Sequence, residues 1–239
     1  MKVRVICQLA IWKSSSYGYN THMTVTLYHY VHCPYCVRVR MALGFLHREY
    51  RSEVVAYDDE ATPIGLIGKK MLPIANVNGQ VMGESLDIIK AIDTNNKLQT
   101  TDVTTHPEYK IFEKVLEELG SPVHSLAMPY WIYTPEFNEN SREYFKKKKE
   151  VKRGPFKELL KNQKQYVDEM NQKLATVAKD LKPFYQSQEF GLKDILIASH
   201  IWGLYVVPEF QFEPKVHEYL QRVKAICQFQ YHQPYWESL

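Results

Sequence analysis

The spacing of apolar residues changes once along this chain, and the change falls in a polar stretch without period, TNNKLQTTDVTTH, residues 94–106. Before it, strand-like and helix-like segments alternate. TVTLYHY at 24–30 interleaves β-branched and aromatic residues, the pattern of a short strand. VRVRMALGFLH at 37–47 gathers Val37, Met41 and Leu43 to Leu46 at spacings one helical face can hold. A second strand is predicted at Ser52 to Tyr57. DDEATPIGLIG then offers Asp59 and Thr62 as caps and Pro63 at a permitted first-turn position. In MLPIANVNGQVMGES, Asn78-Gly79 lies between two apolar runs and predicts a tight hairpin. Ser85 to Asp93 predicts a further helix that buries Leu86, Ile88, Ile89 and Ile92.

Beyond residue 106 the period is helical throughout. A helix beginning at Pro107 is predicted to bury Ile111, Phe112, Val115, Leu116 and Leu119 and to stop at Gly120. Another is predicted from Phe156 to Leu181, with Val167, Met170, Leu174, Val177 and Leu181 three or four apart. DILIASHIWGLY, 194–205, is apolar almost all round, as a buried central helix must be. The chain therefore divides into an extension at 1–22, an α/β domain at 23–94, a linker at 95–106 and an all-α domain at 107–239. No internal repeat is found.

The composition, 45% hydrophobic and 24% charged over 239 residues, is that of a folded soluble protein able to bury a substantial core. No run approaches the roughly 18 apolar residues of a spanning helix. A formal charge of +3 gives no reason to expect a nucleic-acid partner. The dense basic run KKKKE, 146–150, is expected to be a solvated helix face. Residues 1–22 carry Lys2 and Arg4 before a short apolar stretch that Gln8 interrupts, with no clear cleavage site. They read as a frayed extension ahead of a natural start at Met23. Cytoplasm is the expected compartment.

Only four cysteines occur, at 7, 33, 36 and 227, which is not the framework of a small secreted scaffold. Cys7 falls in the extension, and Cys227 reads as a small core residue. Cys33 and Cys36, in HCPYC, sit between the first predicted strand and helix. A free thiol is a thiolate only to a few per cent near neutrality. At the head of a helix, unpaired N–H groups and the helix dipole favour the anion of Cys33, while Cys36 lies one turn further in and is more shielded. Pro34 fits because a first-turn residue needs no N–H. Arg38 and Arg40 either add positive potential or face solvent. A zinc site would need two further ligands, yet neither a second C-x-x-C nor an H-x-x-x-H follows, so no metal is expected. A structural disulfide closing two residues would constrain the unfolded chain little. His32 is either a ligand or base, or a solvent-facing residue at the strand end. Redox chemistry is the best account of the pair.

Cys33-Pro34-Tyr35-Cys36 matches the active-site tetrad of glutaredoxins, and with MLPI at 71–74, GES at 83–85 and REYFKKKKE the chain resembles the glutaredoxin 2 family from about Met23 onward. These are bacterial, glutathione-transferase-like glutaredoxins. The resemblance implies a thioredoxin-like N-terminal domain followed by an all-α C-terminal domain. It also implies a glutathione-dependent thiol-disulfide oxidoreductase, with Cys33 attacking and Cys36 resolving, glutathione as reductant, and glutathionylated or disulfide-containing proteins as partners. Pro73 matches the position that is cis in that fold, beside which the backbone of Leu72 would pair with the cysteinyl part of glutathione. Tyr35 joins that glutathione site. Glu84 and Ser85 match the pair that holds the γ-glutamyl end, although Ser85 by itself reads as a helix cap.

The chain also departs from the pattern. Tyr30 stands where small glutaredoxins carry a lysine, so the partner of the glycine carboxylate is open, with Lys69 and Lys70 within reach or merely exposed. Gly191 stands three before Asp194 where related folds place Ser or Thr, which weakens that helix start. A monomer is expected, with no membrane partner. The alternatives are a transferase that conjugates electrophiles, with Tyr28 or Tyr30 polarising the thiol; a non-catalytic, membrane-associating protein of the same two-domain plan; and a cluster-holding glutaredoxin.

Overall fold

Strict alternation makes β1, Val25–His29, a two-faced strand, with Val25, Leu27 and His29 turned into the core. The computed structural model, which describes residues 23–208 and 210–230, pairs β1 in parallel with β2, Arg51–Val54, and antiparallel with β3, Ile74–Val77. The extension at 1–22, with Cys7, lies outside the described residues. A hairpin joins β3 to β4, Gln80–Met82, giving the order β2-β1-β3-β4. Its turn residues Asn78 and Gly79 have φ of 52° and 89°, the two positive values that a type I′ turn needs. Strand β2 ends at Val54, short of the predicted Tyr57, because its partner β1 runs out at His29, which pairs with Val54.

Helix α1, Pro34–Phe45, connects the two parallel strands, α2, Ala61–Ile67, leads into β3, and α3, Ser85–Ile92, follows the hairpin. The Asp59 carboxylate caps α2, accepting from the Thr62 N–H at 2.9 Å. The stretch predicted as a linker contains a short helix, α4, Thr100–Thr105. Its approach is pinned because the Asp93 carboxylate accepts from the backbone N–H of Lys97 and Leu98, at 2.9 and 2.7 Å, and Leu98 is buried.

Helix α5, Tyr109–Trp131, does not stop at Gly120. Gly120 keeps ordinary helical backbone rather than the left-handed conformation of a helix stop, and the helix passes through Pro122 and Pro129. Burial of Leu119, Val123, Leu126, Met128 and Trp131 outweighs the hydrogen bonds that the prolines cannot make. Ile111, predicted to be buried, is 67% exposed on the outer face. Helix α6, Glu139–Arg153, follows, capped by Asn138, whose side chain accepts from Ser141 N at 2.8 Å. The long helix predicted from Phe156 breaks at Asn162 into α7, Phe156–Lys161, and α8, Gln163–Asp180. Between Leu159 and Met170 no apolar residue is buried, so nothing holds one continuous face to the core.

Helix α9, Leu192–Ile201, is buried along its whole length and runs into a 3₁₀ turn, Trp202–Val206; α10, Pro214–Ile226, packs behind it. The start of α9 is firm without a hydroxyl at Gly191. The buried Asp194 carboxylate accepts from the N–H of Gly191 at 2.9 Å, from that of Tyr185 at 2.8 Å and from the Tyr219 hydroxyl at 3.0 Å. Among the described residues, no helix is long and apolar enough to cross a membrane.

The two halves share one continuous core, which runs from Leu27, Leu43 and Ile88 to Leu126, Ile197 and Leu220. Helix α1 lies at the seam, against the sheet-side helix α3 and against α9 and α10. At its C-terminal end the backbones nearly touch: a Cβ on Gly44 would sit 1.7 Å from the Cys227 carbonyl oxygen. Gly44→Ala should therefore cost about 2–3 kcal/mol of stability, the scale of overpacking against unyielding backbone. Gly65→Ala, in α2 with nothing within 4 Å of the new methyl, should gain about 0.5–1 kcal/mol. Urea unfolding midpoints of the two variants check the contrast.

Candidate active site

Cys33 is the last residue before α1 and has extended backbone, φ −68° and ψ 123°. Its carbonyl accepts from the N–H of Cys36 and of Val37, both at 2.9 Å, which closes the first helical turn beneath the sulfur. Pro34 occupies the first helical position. Cys33 is half-buried and Cys36 fully buried, and both are free thiols. A hydrogen bond from the Cys36 thiol draws the Cys33 pKa down to about 7; burial opposes it, and the N–H groups of Cys36 and Tyr35 and the Arg38 charge add to it. Burial, and then the neighbouring Cys33, push Cys36 well above the usual thiol range. The pair is thus an asymmetric couple, with one sulfur ionised near neutrality and the other protonated.

Helix α1 sends its two arginines apart. Arg38 is buried over the Tyr35 ring, 4.6 Å from its centre, and its Nη1 lies 3.5 Å from Ser85 Oγ. Its Nε is buried without a hydrogen-bond partner among the described residues. Arg40 points the other way and donates to the Gln230 carbonyl at 3.0 Å.

His32 does not face solvent. It is 2% exposed and stacks on Trp131, with ring centres 5.4 Å apart. Its Nε2 lies 2.6 Å from Thr134 Oγ1, and because that hydroxyl donates to the Trp131 carbonyl, the histidine is the donor. His32 also lies 3.4 Å from the Glu136 carboxylate. It therefore ties the loop before Cys33 to the helical half rather than acting as a ligand.

Two cavities open along the seam between the halves. One, of about 680 Å³, is lined by Tyr35, Arg38, Glu84, Ser85, His124 and His200, among others. Glu84 has φ 62° and precedes α3, where Ser85 is the first helical residue and is buried. Burial and then the Arg153 charge hold His124 down to about 3, and burial and then Arg38 hold His200 down to about 4, so both rings are neutral. The second cavity, of about 450 Å³, is where Cys33 opens, together with Tyr30, Leu72, Trp131 and Lys149. The Leu72–Pro73 peptide is cis and lies just before β3.

Of the residues singled out in the sequence, Cys33, Tyr35 and Leu72 line the second cavity, and Tyr35, Glu84 and Ser85 line the first. Tyr30 stacks on Tyr57, with ring centres 4.0 Å apart; burial, then Cys36 and Cys33, raise its hydroxyl pKa, so it stays protonated. Tyr28 packs into the small apolar cluster around Cys36 and Ile74. Lys70 is not merely exposed: its ammonium donates to the Tyr57 carbonyl at 2.9 Å, to Glu60 at 3.2 Å and to the Tyr144 hydroxyl at 2.6 Å, which uses all three of its hydrogens. Lys69 pairs at the surface with Glu84, at 3.5 Å.

The basic run is exposed at Lys147 and Lys148, as a solvated helix face should be, but sequence reasoning missed that it also borders a cavity. Lys148 and Lys149 do not simply face solvent; with Lys152 and Arg153 they line the cavity at Cys33. Phe145 is buried and anchors α6 against Tyr57 and Phe137. Positions 148, 149 and 152 follow it by three, four and seven, so they share its face. That spacing was the available signal.

Comparisons with known proteins show the family and the fold. The family model described as "Glutaredoxin 2, C terminal domain" matches residues 111–233, and that described as "Glutathione S-transferase, N-terminal domain" matches 27–100. Glutaredoxin 2 of Escherichia coli strain K12 is 29% identical over 199 residues, covering 81% of this chain and 91% of the relative. Protein IN2-1 homolog B of Oryza sativa subsp. indica is 37% identical over 76 residues, which is 30% of this chain and 31% of that protein. Among solved structures, glutaredoxin 2 from Salmonella typhimurium in complex with glutathione superposes with a TM-score of 0.76 at 28% identity, covering 86% of this chain and 95% of that one. A glutathione S-transferase of Ceriporiopsis subvermispora superposes at 0.70 with 15% identity, covering 86% of this chain and 98% of that one, a likeness of fold alone. With the C-terminal family model spanning just over half of its length, and with a thioredoxin-like α/β domain joined to a helical one, this chain belongs to the glutaredoxin 2 family.

Proposed function

We propose that this protein is a glutathione-dependent thiol-disulfide oxidoreductase that reduces glutathione mixed disulfides and protein disulfides, with Cys33 as nucleophile and Cys36 as resolving thiol. The observation that carries the reading is the split between the two sulfurs: Cys33 is drawn to about pH 7 at the head of α1, while Cys36 is buried and protonated one turn on. Family membership and the glutathione complex of the Salmonella typhimurium relative support the choice of reductant.

On the monothiol route the Cys33 thiolate attacks the glutathione sulfur of a mixed disulfide. A bond forms between Cys33 and glutathione, and the substrate sulfur leaves as a thiolate that takes a proton from water. The thiolate of a second glutathione then attacks the bound glutathione sulfur, which releases Cys33 as a thiolate together with glutathione disulfide. On the dithiol route Cys33 attacks a protein disulfide. Its charge is then spent in the new bond, so the part of the Cys36 shift that is due to Cys33 disappears. Cys36 loses its proton, attacks Cys33 and expels the substrate thiolate, leaving a Cys33–Cys36 disulfide for two glutathiones to reduce.

Tyr35, Leu72, Pro73, Glu84 and Ser85 are proposed to hold glutathione. The Ser85 N–H at the first turn of α3, with Arg38 beside its hydroxyl, suits the γ-glutamyl carboxylate, and Glu84 suits the ammonium. The backbone of Leu72, at the mouth of the Cys33 cavity, suits the cysteinyl peptide.

Three outcomes are expected. The alkylation rate of Cys33 with iodoacetamide should rise through a midpoint near pH 7, because the reactive thiolate is lost as pH falls below the lowered pKa; a midpoint near the ordinary 9.0 would remove the nucleophile from the scheme. With a glutathionylated peptide, Cys33→Ser should fall to the uncatalysed rate, whereas Cys36→Ser should keep at least about a tenth of wild-type activity, since the monothiol route does not use Cys36. Equal loss in both variants would end the division of roles. Glu84→Gln should raise KM for the glutathione mixed disulfide by about tenfold or more, the scale of one charge-assisted hydrogen bond, with kcat little changed.

A further inference from the structure

We propose that the cavity at Cys33 is a binding site for the departing half of the disulfide, and that it selects a small aromatic thiol carrying a carboxylate. The inference rests on the glutaredoxin reading above and adds the substrate class. The two cavities along the seam differ in charge. The one at Glu84 and Ser85 mixes signs, with Glu84, Asp87, Glu113 and Glu117 lining it together with Arg38, Lys152 and Arg153, as a site for a zwitterionic γ-glutamyl end should. The one at Cys33 has no aspartate or glutamate among its described lining residues, yet five cations reach it.

Of those five, two are committed. Lys70 spends its three hydrogens on protein oxygens. Arg153 donates to the Ser121 carbonyl at 3.1 Å and lies 3.2 Å from His124 Nδ1. Lys148, Lys149 and Lys152 form no salt bridge among the described residues, and Lys148 and Lys149 lie over the Tyr144 and Phe145 rings. Lys149 is partly buried. Burial lowers its pKa and the Cys33 charge raises it, so an anion in the cavity would relieve the cost of holding that ammonium there.

The rest of the wall includes Met128, Trp131, Tyr30, Tyr57, Tyr144 and Phe145, an apolar and aromatic lining that suits a ring. A volume of about 450 Å³ is small-molecule size. The step balances without a further reagent. The Cys33 thiolate displaces the aryl thiolate from its mixed disulfide with glutathione, Cys33 becomes bonded to glutathione, and a second glutathione returns the Cys33 thiolate and leaves as glutathione disulfide. Lys148 and Lys149 stabilise the carboxylate in the cavity and the thiolate that leaves.

The test uses two mixed disulfides of glutathione, one with 5-mercapto-2-nitrobenzoate and one with 4-nitrobenzenethiol, which differ in the carboxylate and both release a coloured thiolate. Each enzymatic kcat/KM is divided by its uncatalysed rate constant with glutathione. In wild type the carboxylated substrate should be favoured by about tenfold or more at low salt, with the ratio falling as salt is added. In Lys148→Glu/Lys152→Glu, two exposed positions, with circular dichroism as the check that the fold is kept, the ratio should fall to one or below. A wild-type ratio near one, or a ratio that the double variant leaves unmoved, overturns the inference alone. Turnover of neither disulfide by wild type overturns the glutaredoxin reading and this inference with it.

Discussion

The position at which α1 begins is the constraint on which the site depends. Cys33 is the last residue with extended backbone, so its carbonyl closes the first turn while its sulfur meets the N–H groups that the turn leaves unpaired. A start one residue earlier would put Cys33 inside the helix and take its sulfur away from the first-turn N–H groups. The start is held because α1 is gripped along its length. Val37, Val39, Met41 and Leu43 are buried, and the far end rests against the backbone of Cys227 at Gly44 with no room to slide. Stability and reactivity thus share one element.

A second consequence follows from placing that helix at a seam. Because one core runs through both halves, the walls of the cleft come from two domains yet are held as one body. His32 reinforces the arrangement next to Cys33, joining the strand end to Thr134 and Trp131 across the seam. The all-α domain does more than cover the α/β domain. It supplies His124, Lys152 and Arg153 to both cavities, His200, Glu113 and Glu117 to one and Lys148 and Lys149 to the other, so the two cavities, which share Pro34 and Tyr35, differ in charge. Charge fixed on a helix face inside a partly enclosed cleft acts more strongly than the same charge in open solvent.

Local rules account for the readings that succeeded and for those that failed. Asn78-Gly79 forms its hairpin because both residues accept positive φ, a property of the two residues themselves. Gly120 reads as a stop by the same kind of rule, yet α5 continues through it and through two prolines, since the apolar residues on either side are already committed to the core. Asn162 divides a periodic run for the opposite reason: the polar segment around it contributes no buried apolar contact. At Gly191 the missing hydroxyl suggests a loose end, but Asp194 reaches back and holds the turn from its third position.

The order of strands and helices, the change from an α/β half to a helical one and the C-x-x-C at a helix head are legible in the chain, because each follows from residues within a turn or two of one another. What lies opposite Cys33 is not. Lys148, Lys149 and Lys152 are more than a hundred residues from the cysteine, and as isolated text a run of lysines is a solvated face. Only the packing of Phe145 against Tyr57 and Phe137 brings that face to the edge of the Cys33 cavity. Local covalent and hydrogen-bonding rules decide which sulfur ionises, whereas long-range burial decides which charges surround it.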